Sequence, residues 1–115
     1  MDVDQLVGAF VVEVGIRQAW PFLGFCDNRE APSKEARLYL DASWSINDER
    51  GPRSGATEDW LVAADDLNGL TVSRATAESD GRLRLDFTGG ATLSISAEVA
   101  SASSGEPWWM SPWRP

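Results

Sequence analysis

Asp80-Gly81-Arg82-Leu83-Arg84-Leu85-Asp86-Phe87-Thr88-Gly89-Gly90-Ala91-Thr92-Leu93-Ser94-Ile95-Ser96-Ala97-Glu98-Val99 is the stretch whose reading decides the fold. Leu83, Leu85 and Phe87 alternate with Arg82, Arg84 and Asp86, and Leu93, Ile95, Ala97 and Val99 alternate with Ser94, Ser96 and Glu98. A period of two is the signature of a strand with one buried and one wet face. Gly89-Gly90 supplies the positive φ angles of a tight hairpin turn between them. Upstream, Leu70-Thr71-Val72 opens another strand, closed by the turn signal Ser79-Asp80-Gly81. The spacing predicts a three-stranded antiparallel meander over 70–99.

Working outward, the first half contains two longer alternating runs. Phe10, Val12, Val14 and Ile16 share one face of the first, with Val11, Glu13, Gly15 and Arg17 on the other. Leu38, Leu40, Ala42, Trp44 and Ile46 share one face of the second, alternating with Arg37, Tyr39, Asp41, Ser43 and Ser45. Residues 21–33, with Gly24, Asp27-Asn28 and Pro32, read as a long loop, and 47–56, with Gly51-Pro52, as a polar one. Between the halves, Trp60, Ala63, Ala64 and Leu67 fall at helical spacing behind Thr57 as a cap, and Gly69 follows as a stop. The expected fold is α+β and mainly β: an antiparallel sheet of about five strands, from two long strands, one short helix and the meander. Whether the two halves form one sheet or two stays open.

Residues 1–115 suit a single domain with one core. Cys26 is the only cysteine, so the chain has no internal disulfide and no cysteine-based zinc site. Met1-Asp2-Val3-Asp4-Gln5 is acidic where a secretory signal is basic, and no apolar run reaches the length of a membrane span. The expectation is a cytoplasmic protein. Its formal net charge of −8 argues against nucleic acid and anionic lipid as partners, and favours a basic one if charge steers binding at all. Nine of the ten bases are arginine, which suggests high-GC codon usage in a bacterium.

Catalytic chemistry finds little support. The chain has no histidine, which removes the common nucleophile systems, the usual general base at neutral pH and most zinc or iron centres. Gly89-Gly90 precedes a strand, not a helix, so it is no phosphate loop. Asp41 and Asp86 are possible acid–base partners, but arginines at 37 and 84 alternate with them as on a solvated, ion-paired surface. No metal, cofactor or catalytic residue is predicted. Asp65-Asp66, at the helix end where the macrodipole disfavours acids, reads either as a solvated end or as an acidic contact for a basic partner.

Tryptophan is the anomaly. The chain has six, three of them in the tail 106–115: Trp108, Trp109 and Trp113. Left exposed, they would create an apolar patch at or above the roughly 300–600 Å² usual for a monomer. The tail therefore either packs back on the sheet, through a flexible segment over 101–105, or completes an interface. Trp20-Pro21-Phe22 is its expected landing place or a second part of an exposed patch. The tail's prolines disfavour strand or helix there. Pro112-Trp113-Arg114-Pro115 also matches a bare PxxP pattern.

Leu67-Asn68-Gly69-Leu70-Thr71-Val72, Asp80 to Phe87, Gly90-Ala91-Thr92-Leu93-Ser94-Ile95 and Glu106-Pro107-Trp108 together resemble a family of small uncharacterised bacterial β-rich proteins. In size and style that family is similar to the immunity proteins of polymorphic-toxin systems. The likeness covers about the second half of the chain and consists mostly of hairpin grammar. The acidic balance, the missing catalytic groups and the surplus aromatics point to a non-catalytic binding domain whose partner is another protein, and the likeness implies an immunity-type inhibitor. The residues expected to meet that partner are Trp20, Phe22, Asp65, Asp66, Trp108, Trp109 and Trp113. Self-association and a small-ligand or carboxylate-enzyme role are the alternatives.

Overall fold

In the computed structural model, which describes residues 3–27, 33–99 and 105–114, the strands form two antiparallel sheets, not one. Sheet A contains β1 (Phe10–Arg17), β2 (Trp20–Cys26), β3 (Glu35–Leu40) and β9 (Trp108–Met110), in the order β1-β2-β3-β9. Sheet B contains β4 (Ala42–Asp48), β5 (Gly51–Ser54), β6 (Val72–Ala77), β7 (Leu83–Phe87) and β8 (Thr92–Val99), in the order β5-β4-β8-β7-β6. The predicted meander is β6-β7-β8, and Gly89 and Gly90 both have positive φ in its second turn.

The second long run is a single alternating segment that changes sheet at Asp41. Leu38, Leu40, Ala42, Trp44 and Ile46 all point into the core. β8 pairs antiparallel with the β4 half of this run and β9 with its β3 half, so the two sheets are joined along this bent segment. At the opposite side, backbone hydrogen bonds tie 8–11 to 69–72: Gly8 N–H to Val72 O at 2.9 Å, Val72 N–H to Ala9 O at 2.8 Å, Val11 N–H to Leu70 O at 3.0 Å and Gly69 N–H to Val11 O at 2.8 Å. The circuit β1, β2, β3–β4, β8, β7, β6 thus returns to β1. Closure of this kind is how a β protein protects backbone groups that an open edge would expose.

Several expectations need correction. The stretch 21–33 is not a loop throughout, because Trp20–Cys26 is strand β2; Pro21 is its second residue and the β-favouring Phe22, Leu23 and Phe25 carry it, while 28–32 lie outside the described residues. The polar stretch 47–56 contains β5, a short edge strand blunted by Pro52. The tail is not irregular, since Trp108–Met110 forms β9 between Pro107 and Pro112. Prolines bracket that strand without interrupting it. The flexible segment expected over 101–105 lies outside the described residues except for Gly105.

The faces of β1 also differ from simple alternation. A bulge between Val11 and Glu13 adds one residue, so buried Val11 shares the core-facing side with Val14 and Ile16, while Val12 is exposed. Helix α1 (Trp60–Ala64) is flanked by single 3-10 turns at Thr57–Asp59 and Asp65–Leu67. Thr57 is not the cap. The Asp59 carboxylate instead accepts the Ala56 N–H at 2.9 Å. Trp60, Ala63, Ala64 and Leu67 are buried as their spacing requires. Trp60 meets Trp44 edge-on at 5.1 Å, and its indole N–H donates to Phe22 O at 3.3 Å.

Candidate functional site

The candidate site is the outer face of sheet A, where register places side chains in two cross-strand rungs. The first is Gly15–Phe22–Tyr39–Trp109, one residue from each strand of the sheet. Alternation points all four away from the core, while Leu23, Leu38 and Met110 beside them point inward. Phe22 and Tyr39 rings lie 5.5 Å apart, and Tyr39 stacks on Trp109 at 5.6 Å with 13° between planes. Trp20, at the adjoining end of β2, meets Trp109 edge-on at 5.1 Å and 87°. Such pairs contribute about 0.5–1.5 kcal/mol each beyond the area they bury.

The second rung is Glu13–Gly24–Arg37–Ser111. Arg37 lies with its guanidinium 4.3 Å over the Phe22 ring, ion-pairs with Glu13 at 3.0 Å and donates to the Tyr39 hydroxyl at 3.4 Å. One glycine in each rung makes this possible. A Cβ on Gly15 would lie 2.5 Å from Cζ of Phe22, and one on Gly24 would lie 3.0 Å from Cβ of Glu13. The Phe22 ring therefore occupies the space over Gly15, and Glu13 reaches Arg37 across Gly24. Beyond the second rung lies an open groove of about 480 Å³, bordered by Glu35 and Arg114 as well as by Glu13 and Arg37. Its charges balance.

Of the seven residues expected to contact a partner, Trp20, Phe22 and Trp109 are brought together here. Phe22 is only 5% exposed, so it supports Tyr39 and Arg37 instead of offering its own surface. Trp108 faces inward, packs against the core and donates its indole N–H to Gly81 O at 2.8 Å, fastening β9 to the β6–β7 turn. Trp113 packs against the core elsewhere, near Gln5, Asp27 and Lys34. Asp65 and Asp66 lie in the turn after α1. Asp66 belongs to a charged cluster there, at 2.6 Å from Arg50 and 2.7 Å from Arg53, whose guanidinium also reaches Asp48 at 2.7 Å. Hydrogen bonds from Arg53 and Arg50 hold the Asp66 carboxyl below the usual carboxylate range; the backbone N–H of Arg50, and then both guanidinium charges, do the same for Asp48.

Sequence reasoning missed Tyr39, Arg37 and Glu13 as members of the aromatic and charged rungs. Alternation already put Arg37 and Tyr39 on an outer face; what it could not supply was which strand lies beside which. The possible acid pair is not assembled. Asp86 sits on sheet B, bonded to Arg84 at 3.0 Å and to Thr92 at 3.1 Å, whereas Asp41 is buried where the chain changes sheet. Arg84 is on the same strand as Asp86, and Arg37 turns to Glu13, so neither forms the expected cross-strand pair with these aspartates. Cys26 is half-buried. Among the described residues no three metal-ligating side chains converge, and no helix is long and apolar enough to cross a membrane. Comparison with protein-family models, with curated proteins and with solved structures returned no match to this chain.

Proposed function

We propose that this is a non-catalytic binding domain that recognises another protein through the outer face of sheet A. The observation that carries the reading is the continuous row Trp20–Trp109–Tyr39–Phe22 on a sheet whose other face already supplies the core. Tryptophan, tyrosine and arginine are the side chains that dominate protein interfaces, and here they are held rigid by one another. Trp20, Tyr39 and Trp109 remain half-buried, so burying the remainder in a complex stays favourable. The partner class suggested by the resemblance of the second half is a bacterial toxin, with this domain as an immunity-type inhibitor.

The stacking also favours a protein over a sugar or nucleobase. Tyr39 covers one face of Trp109, so the row presents a ridge more than a flat open platform. A ridge inserts into a partner's apolar pocket, whereas stacking a planar or pyranose ligand needs a free ring face.

The test is capture of a partner by the tagged protein from its native lysate, compared across variants. A partner retained by wild type and Ser94→Ala but lost with Trp20→Ala and Trp109→Ala, at melting temperatures above the assay temperature, supports the reading. A partner retained equally by all four sinks it.

A further inference from the structure

The exposed face of the helical segment carries a second, independent pattern. Glu58, Leu61, Val62 and Asp65 stand at i, i+3, i+4 and i+7, opposite the buried stripe Trp60, Ala63, Ala64 and Leu67. Leu61 is 48% exposed and Val62 79%, the latter the most exposed large apolar side chain among the described residues. Nothing in the core requires an apolar residue at either position. Val62 in particular, with most of its surface in water, contributes little to the core.

The charges around them are one-sided. No lysine or arginine occurs between Arg53 and Arg74. Asp59 is occupied as the Ala56 cap and Asp66 by Arg50 and Arg53. Glu58 and Asp65, at the two ends of the apolar pair, have no ion pair among the described residues. With an α turn between two 3-10 turns, rising about 1.5 and about 2 Å per residue, their backbone positions stand roughly 10–12 Å apart along the segment. Asp65 also lies at the C-terminal end, where a cation is the complementary charge. An aliphatic pair with a free carboxylate on either side matches a partner surface with an apolar centre and cations around it.

We infer that this helical face docks a basic amphipathic segment of a partner protein, with Leu61 and Val62 burying its aliphatic side chains and Glu58 and Asp65 pairing with its lysines or arginines. The chain's net charge of −8 steers the same partner in. The inference does not depend on the aromatic row, which lies on other elements.

The probe is a labelled helical peptide of about four turns with leucines along one face and lysines on the other. Two reference peptides replace its lysines by glutamate or its leucines by serine. Wild type is expected to bind the leucine–lysine peptide about tenfold or more tighter than either reference. Leu61→Ser with Val62→Ser is expected to weaken binding about fivefold or more, since two side chains lose their burial. Glu58→Gln with Asp65→Asn is expected to weaken it less and to flatten its salt dependence. Trp109→Ala is expected to leave it unchanged, which separates this face from the aromatic one. All four substituted helical side chains are exposed, so unchanged melting temperatures serve as the folding control. Equal binding by the Leu61→Ser/Val62→Ser protein overturns the inference, as does equal binding of the glutamate peptide. A wild-type dimer by light scattering that this double variant dissociates also overturns it, because a second copy would then be the occupant.

Discussion

The two sheets turn equivalent faces inward and very different faces outward. Inside, Leu23, Leu38 and Met110 of sheet A meet Trp44, Leu85 and Leu93 of sheet B in one core. Outside, sheet B carries Arg84 and Asp86 on β7 and Thr92, Ser94 and Ser96 on β8: small, polar or ion-paired side chains that suit water. Sheet A at the same kind of position carries Phe22, Tyr39, Trp109 and Arg37. Alternation is the same in both, so alternation specifies the fold. What the outward residues are is a separate choice, and only sheet A departs from what solubility would select.

The largest effects should show the inner faces to be equivalent. Leu38→Ala on sheet A and Leu93→Ala on sheet B each empty a fully buried site, and each is expected to cost about 2–5 kcal/mol by urea unfolding. If one is tolerated at well under ~1 kcal/mol, the two sheets do not share a core of even quality. On the outside the sheets should diverge. Trp109→Ala removes contacts to both Tyr39 and Trp20 and is expected to cost about 1–3 kcal/mol, while Ser94→Ala should stay within about 0.5. Equal small effects would mean that the aromatic row contributes nothing to stability.

Gly15→Ala sharpens the same contrast. Alanine is ordinarily the better residue in a strand, yet here its Cβ displaces the Phe22 ring from beneath Arg37. The expected cost is about 1–2 kcal/mol by the same unfolding measurement, from strain at a packed site. A stabilised Gly15→Ala protein would show that the ring relocates freely and that the rung is not rigid.

How much of this was readable beforehand follows from which forces are local. The meander over β6-β7-β8 and the buried face of the helix were legible because turn glycines and periodicity act within a few residues. β2 was not, since Gly24, Asp27-Asn28 and Pro32 read as loop signals; Pro21 is the strand's second residue and Gly24 leaves room for Glu13 to cross it, facts that depend on β1 and β3. The tail's strand was hidden in the same way, because β9 forms by pairing with β3 some seventy positions away. Trp20, Phe22 and Trp109 stood out by composition. Tyr39 and Arg37 did not, because a lone tyrosine or arginine on an alternating strand is ordinary until its neighbours are known.

The smallest predicted effect separates the sheets by chemistry. Asp48 and Asp66 beside Arg50 and Arg53, and Asp80 beside the Arg82 N–H, all have lowered pKa values, and all flank sheet B or its turns. A carboxyl lowered on folding binds fewer protons in the native state than in the unfolded one. Its contribution is therefore complete above the ordinary aspartate range and is lost as pH falls from about 4 through the folded values. Asp66 and Asp80 are solvent-exposed and Asp48 is half-buried, so the loss should be modest and further reduced by added salt. Melting temperatures of wild type and of Asp48→Asn with Asp66→Asn are expected to differ near neutral pH and converge in acid. The Trp109→Ala deficit, by contrast, should be the same at both ends, because stacked rings do not titrate. If the aspartate variant keeps its full deficit in acid, the cluster acts through packing of the β4–β5 hairpin against the helix end and not through charge. The distinction between a charged flank and an aromatic face would then lose its energetic half.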